Sequence, residues 1–283
     1  MQIPRQRTKV QNGINRSTAA VTGLIGALLL ALWHIGYIGD GALFDLLPGK
    51  AASSPRQPRM VALYLSGDMG FHAGLGPRIA DRLTRRGIPV VTENSLRFFR
   101  THRTPEEAGA MIAQGLRRAI AVDPGARLLL LGQSFGADII APSLPYVPTT
   151  LRRQIVFIGL IAPGATRQWR ASPSDILSFN EPKEDATTAA RRLSWAPLLC
   201  IHRAEEAASL CPTLRQPNVT RLRLPRGHAL DHDADAVSAA LLQAIAQLVG
   251  GRDNMMPSIR APTPSMALSD GAPIRRHARR SGR

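Results

Sequence analysis

The residues best suited to chemistry lie in the run Gly132-Gln133-Ser134-Phe135-Gly136. This run directly follows the apolar stretch 127–131, which is typical of a buried strand, and directly precedes a predicted helix. A sharp turn between a strand and a helix exposes a serine hydroxyl at the helix N-terminus, where it can act as a nucleophile. Glycines allow such a turn because they carry no side chain that would clash. The sequence therefore predicts that Ser134 is the nucleophile of a serine hydrolase.

A serine hydroxyl needs a neighbouring base before it can attack a carbonyl carbon. When the nucleophile lies on such a strand-to-helix turn, the three residues of the catalytic triad follow the chain order serine, acid, histidine, and the histidine comes after the last strand. His228 lies between the last predicted strand and the last predicted helix, so it is favoured as the base. His232, four residues further on, is its main rival.

The acid of the triad is expected after the penultimate strand, where a carboxylate orients the imidazole and stabilises the imidazolium. The predicted strand 198–202 is followed by two adjacent glutamates, Glu205 and Glu206. Glu206 is preferred, and the sequence leaves Glu205 open as an alternative.

The negatively charged oxygen of the intermediate needs backbone N–H donors, one from the residue after the nucleophile and one from an early loop. Phe135 is predicted to supply the first donor. The run 66–70 follows the first predicted strand, so Asp68 or Met69 is predicted to supply the second. The Asp68 carboxylate would then face the pocket, which suits a cationic group of a substrate.

The segments that position these residues alternate between short apolar runs and amphipathic stretches. This alternation predicts an α/β protein with a mostly parallel sheet flanked by helices, as in the α/β-hydrolase fold, over residues 60–250. Strands are predicted at 61–65, 88–91, 127–131, 154–160, 198–202 and 219–224, and helices at 75–86, 104–122, from 135 onward and at 234–249, with an irregular segment at 162–196.

The two ends of the chain differ from this domain in composition. Residues 1–16 are basic and predict a cytoplasmic segment, and the apolar stretch 17–38 predicts a signal anchor or signal peptide, with a retained anchor favoured. Residues 39–59 are predicted to be a linker, and the Pro- and Arg-rich stretch 251–283 a disordered tail. We therefore expect an exported, periplasmic protein anchored to the inner membrane by its N-terminal helix.

Charge and cysteine content narrow the choice of partners. The net charge of +16 is concentrated toward the two ends of the chain, so we do not expect nucleic acid as a partner. Cys200 and Cys211 could form a disulfide in an oxidising compartment. Their spacing does not indicate a zinc site, and the sequence predicts neither a metal nor a cofactor.

Several motifs together make residues 61–248 resemble the VirJ/AcvB family of exported bacterial proteins associated with virulence. The motifs are Leu65-Ser66-Gly67-Asp68-Met69-Gly70-Phe71, Asn94-Ser95-Leu96-Arg97-Phe98-Phe99, Gly132-Gln133-Ser134-Phe135-Gly136-Ala137-Asp138, Cys200 with Glu205, Glu206 and Cys211-Pro212, and Arg226-Gly227-His228. Met69, Phe71 and Arg203 depart from the family pattern, which bears on the shape of the pocket. The resemblance implies an α/β-hydrolase-like domain.

In AcvB-like members the resemblance implies hydrolysis of lysyl-phosphatidylglycerol, that is, of the ester between an amino acid and the glycerol of a phospholipid. Asp68 and Asp138 would then bind the ammonium groups of an aminoacylated phospholipid at the membrane surface. Arg97 would pair with one of these acids or with the lipid phosphate, although a solvated arginine fits equally well. The virulence association also implies an alternative, a non-catalytic partner of envelope or secretion-system proteins.

Overall fold

The computed structural model describes residues 7–39, 41–50, 59–72, 74–171, 184–206, 208–225 and 230–250. The helices are α1 (Arg7–His34), α2 (Gly76–Arg85), α3 (Ser95–Phe98), α4 (Pro105–Val122), α5 (Phe135–Ser143), α6 (Thr149–Arg152), α7 (Thr187–Arg191) and α8 (Leu230–Gly250). The strands are β1 (Phe44–Leu47), β2 (Met60–Leu65), β3 (Val90–Glu93), β4 (Arg127–Gln133), β5 (Ile155–Ile161), β6 (Thr166–Arg167), β7 (Glu184–Asp185), β8 (Leu198–Arg203) and β9 (Val219–Leu224).

Seven strands form one sheet in the order β1-β3-β2-β4-β5-β8-β9. Strand β1 runs antiparallel to β3, and all other neighbours in this sheet are parallel. Strands β6 and β7 form a separate antiparallel pair. The predicted α/β-hydrolase fold with a mostly parallel sheet is confirmed.

The sheet is covered on both faces. Leu128 to Leu131 of β4 are all fully buried, as expected for a central parallel strand. Their side chains alternate between two apolar clusters, one packed under α4 and α5 and the other under α2 and α8. The nucleophile predicted from the sequence therefore follows a central strand of the sheet whose leucines are fully buried.

Helix α4 begins where the sequence predicts. The Thr104 side chain accepts a hydrogen bond from the Glu107 N–H, and the Glu107 side chain accepts one from the Thr104 N–H. This capping box satisfies two N–H groups that have no partner inside the helix. Pro105 occupies the first turn, where its missing N–H costs nothing.

The prediction of a linker over 39–59 is wrong for residues 44–47, which form strand β1. Phe44 is buried in the core, and the Asn94 N–H donates to the Leu43 carbonyl 3.0 Å away. Four residues are too few to show a strand period, and their pairing with β3 is a tertiary contact that the sequence does not display. The sheet therefore starts about fifteen residues earlier than predicted.

Helix α1 begins inside the predicted basic segment and ends within the predicted anchor. Its side chains from Thr18 to Trp33 are exposed apart from that of Leu32, which is half-buried. Among the described parts of the chain, no helix is long and apolar enough to cross a membrane. The predicted tail, 251–283, lies outside the described residues.

Parallel pairing brings the carboxyl ends of β2, β3, β4, β5, β8 and β9 to one edge of the sheet. The loops that follow these strands contain Asp68, Ser134 and Glu206. In open α/β sheets, ligands bind outside this edge. The fold thus gathers the predicted site residues from distant parts of the sequence.

Candidate active site

Ser134 occupies a strained turn between β4 and α5. Its backbone angles are φ 49° and ψ −122°, a region that side chains rarely adopt. The Ser134 N–H donates to the Ile161 carbonyl at 2.8 Å, and the Ser134 carbonyl accepts from the N–H groups of Ala137 and Asp138. These bonds hold the turn in the geometry expected of a nucleophile on a strand-to-helix elbow.

The two glycines of the motif are required by close backbone contacts. A Cβ added to Gly136 would lie 2.4 Å from the Ser66 carbonyl oxygen and 2.5 Å from that of Leu65. A Cβ on Gly132 would lie 2.6 Å from the Gly136 carbonyl oxygen. Real Cβ atoms do not approach backbone this closely, so the helix could not start against β2 with any larger residue. The G-x-S-x-G spacing is a packing requirement of the turn.

The loop after β2 lies next to the nucleophile. Gly67 and Gly70 pair across a tight turn, in which the Gly70 N–H donates to the Gly67 carbonyl at 3.1 Å. A Cβ added to Gly67 would lie 3.6 Å from the Ser134 Cβ. The first N–H groups of a helix have no partner within it, so the Phe135 N–H is available on the other side of the serine. This arrangement is the one expected if Asp68 and Phe135 donate to an oxyanion.

Gln133 and Tyr64 support the turn, and the sequence did not single them out. The Tyr64 hydroxyl donates to Gln133 Oε1 at 2.9 Å, and burial raises the pKa of this tyrosine well above its usual value. Cβ atoms added to Gly67 and Gly74 would lie within 4.0 Å of Gln133 Nε2. The side chain next to the nucleophile thus fills the space between β2 and the loops that follow it.

Two carboxylates lie near the nucleophile. Asp138 Oδ1 accepts a hydrogen bond from the Gly164 N–H at 2.7 Å, which ties α5 to the loop after β5. Burial, and to a smaller extent the nearby charge of Asp68, raise the pKa of Asp138 well above its usual value, and the Gly164 bond only partly opposes them. Asp68 is exposed. Among the described residues neither carboxylate forms an ion pair, so this part of the site is acidic.

The two candidate acids follow β8 and differ in exposure. Glu205 is exposed, whereas Glu206 is half-buried and accepts a hydrogen bond from the Arg203 N–H at 3.1 Å. Burial lowers the pKa of the neighbouring His202, although the negative charge of Glu206 opposes this shift. In the described structure, the Glu206 carboxylate therefore acts on the imidazole of His202.

A disulfide between Cys200 and Cys211 closes the loop that contains both glutamates. Both cysteines are fully buried. A loop of this length is stabilised by about 2–4 kcal/mol when it is closed covalently. The predicted bridge is confirmed, and it fixes the start and the end of the acid loop.

The predicted base, His228, lies outside the described residues, as does the side chain of its rival His232. The strand before His228 is described. Arg203 at the end of β8 pairs in register with Leu224 at the end of β9, and the Ala204 N–H donates to the Leu224 carbonyl at 3.1 Å. The acid loop and the chain leading to His228 therefore start side by side. The role of His228 stays a prediction.

Arg97 does not pair with an acid in the described structure. Its guanidinium donates to the Gly39 carbonyl at 2.8 Å, and the Asn94 side chain donates to the Ile35 carbonyl at 3.2 Å. A Cβ on Gly70 would lie 2.7 Å from the same Ile35 oxygen. The segment that follows α1 is thus attached to the loop beside Ser134 through residues of the motif 94–99.

The comparisons with known proteins agree with this geometry. The family profile described as "Bacterial virulence protein (VirJ)" matches residues 59–249. No curated protein sequence matches the chain. The disulfide together with the family match indicates an exported protein.

Solved structures with the same fold are enzymes of the α/β-hydrolase type. The α/β hydrolase GrgF from Penicillium sp. sh18 is 11% identical with a TM-score of 0.52, covering 73% of this chain and 93% of its own. The lipase BlEst2 from Bacillus licheniformis is 11% identical with a TM-score of 0.50, covering 73% and 99%. At this identity the likeness shows the fold, and the prediction of a serine hydrolase agrees with it.

Proposed function

The chain belongs to the VirJ family of bacterial virulence proteins, and on this basis we propose that it is an exported serine esterase. Its proposed substrate is the aminoacyl ester of a lysyl-phosphatidylglycerol-type phospholipid. Ser134 is the nucleophile, His228 the base and Glu206 the acid, and no cofactor takes part. The observation that carries the proposal is the strained Ser134 turn beside the Gly67–Gly70 loop.

The proposed reaction proceeds through an acyl-enzyme. Ser134 Oγ attacks the ester carbonyl carbon as His228 takes its proton, and the N–H groups of Phe135 and Asp68 stabilise the oxyanion. His228 then gives the proton to the departing glycerol oxygen. The departing phospholipid loses its cationic aminoacyl group in this step, and a water molecule then attacks the acyl-enzyme in the same way and releases the free amino acid.

The acidic groups near Ser134 are an argument for a substrate whose acyl group is cationic. The charge of Asp68 contributes to the raised pKa of Asp138, and no cation among the described residues forms an ion pair with either carboxylate. An ammonium group between them would relieve this repulsion and would favour the charged form of Asp138. A lysyl ester brings one ammonium group beside the carbonyl carbon that Ser134 attacks and a second at the end of its side chain.

The attachment of the segment after α1 to the loop beside Ser134 is an argument for a substrate that lies in a lipid surface. The exposed apolar side chains of α1 lead directly into the segment that contacts Gly70 and Asn94. A helix of this kind lies favourably on an anionic membrane when its charged end is basic, and Arg7, Lys9 and Arg16 give α1 that charge. The proposed location is the periplasmic face of the inner membrane.

The substrate is tested with vesicles of phosphatidylglycerol that contain lysyl-phosphatidylglycerol, measuring the release of free lysine. Wild type is expected to release lysine, and Ser134→Ala to release none. Asp68→Asn should raise KM for the lysyl lipid while reaction with a neutral soluble ester changes little, because only the cationic group is affected. Lysine release by Ser134→Ala would contradict the proposed nucleophile.

A folded wild type that cleaves soluble esters but not the lysyl lipid would remove the substrate assignment and keep the esterase. A folded wild type that cleaves no ester would favour the alternative, a non-catalytic partner of an envelope or secretion assembly. The two results separate the activity from its substrate.

A further inference from the structure

Glu93 is a buried carboxyl group that the proposed reaction does not use. It ends β3 at the carboxyl edge of the sheet, and none of its surface is exposed. Glu93 Oε2 accepts a hydrogen bond from the Ser95 hydroxyl at 2.6 Å. The other oxygen, Oε1, has no hydrogen-bond partner among the described residues. A buried carboxylate with one oxygen unsatisfied is costly, so the group favours its neutral form.

Hydrogen bonds connect this carboxyl group to the loop that contains Asp68. The Ser95 N–H donates to Ser66 Oγ at 2.9 Å, and the Ser66 N–H donates to the Glu93 carbonyl at 3.2 Å. Ser66 Oγ in turn donates to the Gly67 carbonyl at 3.2 Å. Ser66 directly precedes the Gly67–Gly70 turn, so Glu93 and Ser95 set where this turn begins.

The protonation of Glu93 is set by burial. Burial raises its pKa to about 8, and the hydrogen bond from the Ser95 hydroxyl and the nearby Ser66 N–H offset only part of the shift. No charged group among the described residues contributes to it. The titratable groups on the elements around β3 are otherwise engaged or exposed: Asp45 on β1, Tyr64 on β2, Asp68 in the following loop, Asp81 on α2, Arg97 on α3, and Arg117 and Arg118 on α4.

We propose that Glu93 is a positioning residue that holds the Ser66–Asp68 segment in its reactive place only while its carboxyl group is protonated. Loss of the proton would leave an uncompensated negative charge in the core beside Ser66. The loop would shift to admit water or a cation, which moves the Asp68 N–H away from the oxyanion. The inference rests on the proposed esterase activity and on the proposed donor role of Asp68.

The test is the pH dependence of kcat/KM for a soluble ester, 4-nitrophenyl acetate, between pH 6 and pH 9.5 after correction for spontaneous hydrolysis. A group with a pKa of about 8 is roughly one tenth protonated at pH 9, so wild type should lose about tenfold in kcat/KM between pH 7 and pH 9. Glu93→Gln cannot ionise and should lose this alkaline decline while keeping the acid limb of the histidine.

Thr92→Val is the matched control. Thr92 is buried one residue away on the same strand, and its hydroxyl donates to the Asp45 carbonyl at 3.3 Å on the side of β1. Its pH profile should keep the wild-type decline. An unchanged alkaline decline in Glu93→Gln, or a flat wild-type profile up to pH 9.5, would overturn the proposal.

Amide hydrogen exchange over residues 64–72 tests the same inference without any substrate. Wild type should lose protection above pH 8 beyond the intrinsic rise in exchange rate, and Glu93→Gln should not. This measurement separates failure of the Glu93 inference from failure of the esterase proposal.

If Glu93→Gln does not fold, Ser66→Ala replaces it and should lower kcat about tenfold with KM unchanged. If Ser66→Ala keeps the wild-type kcat, the proposed connection from Glu93 through Ser66 to the loop with Asp68 is overturned.

Discussion

The two halves of the candidate site are held in place by different means. The nucleophile half consists of the loops after β2, β3 and β4, with Ser66–Gly70, Glu93–Ser95 and Ser134. The acid half consists of the loops after β8 and β9, with Glu205, Glu206 and the chain toward His228. In the nucleophile half, backbones touch directly between fully buried strands. In the acid half, a disulfide closes a loop beside the half-exposed edge strand β9.

This difference shows where each half can fail. The nucleophile half has no space for an added methyl group at Gly132 or Gly136, so a change there must move β2 or α5. In the acid half, the disulfide acts together with hydrogen bonds to the segment after β5, where the Leu210 N–H donates to the Pro163 carbonyl and the Ala165 N–H donates to the Ala208 carbonyl. The first half is sensitive to volume and to buried charge, and the second to the loss of a covalent link.

Gly136→Ala is expected to have the largest effect. Its Cβ would lie within 2.5 Å of two backbone oxygens on β2, and backbone cannot rotate away as a side chain can. We expect a loss of more than about 3 kcal/mol in the free energy of unfolding, together with loss of activity. Urea unfolding gives the value. Gly23→Ala is the control, since nothing lies within 4 Å of its added Cβ, and it should be neutral or slightly stabilising.

Removing the disulfide should have the next largest effect. Cys200→Ala with Cys211→Ala should lower the free energy of unfolding by about 2–4 kcal/mol, because the unfolded chain gains the freedom of the open loop. Activity should fall further than stability alone requires, since Glu206 loses its fixed position. Wild type with a reductant should approach the double variant, and equal stability with and without the bridge would contradict this account of the acid half.

The buried Glu93 makes the stability of the nucleophile half depend on pH. Its folded pKa of about 8 lies above its unfolded value, so the folded state binds more protons between about pH 4.5 and pH 8. This contribution is fully present below about pH 4.5 and is lost as pH rises through 8. Between pH 5 and pH 8, wild type should lose on the order of 3 kcal/mol relative to Glu93→Gln. If the free energies of unfolding of wild type and Glu93→Gln change with pH in the same way, the account of Glu93 as a buried, protonated group is contradicted.

Tyr64→Phe should have the smallest effect. It removes the hydroxyl that donates to Gln133 Oε1 and leaves that amide oxygen without its partner. A loss of about 1 kcal/mol in stability is expected, with a modest fall in kcat because Gln133 adjoins Ser134. Thermal unfolding and ester hydrolysis measure the two effects. A fall in stability or in kcat larger than that caused by removing the disulfide would mean that Gln133 does more than support the turn.

The strand-to-helix turn at Ser134 could be predicted from the sequence because its signals are local. A run of four leucines, a G-x-S-x-G motif and the start of a helix occupy about ten residues, so their geometry follows from spacing alone. The capping box of α4 is equally local. The alternation of apolar runs with amphipathic stretches predicted a mostly parallel sheet, whereas the order of its strands is known from the structure alone.

The remaining features depend on contacts between distant residues. Strand β1 pairs with residues almost fifty positions away, and Glu93 is buried only because β3 lies between β1 and β2. In sequence, Val90-Val91-Thr92-Glu93 ends in a charge and resembles the exit from a strand into solvent. Tyr64 and Gln133 are 69 residues apart, and no local pattern connects them. Burial of a polar side chain is a property of the fold that a single sequence does not display.

The most direct test of the account is covalent labelling of the folded protein with a fluorophosphonate, followed by peptide mass mapping. Ser143→Ala is the matched control, because Ser143 ends the same helix, is fully buried and has no hydrogen-bond partner for its hydroxyl among the described residues. Wild type and Ser143→Ala should each gain one adduct, located on the peptide with Ser134, and Ser134→Ala should gain none. An adduct on another residue, or none on folded wild type, would contradict Ser134 as the nucleophile.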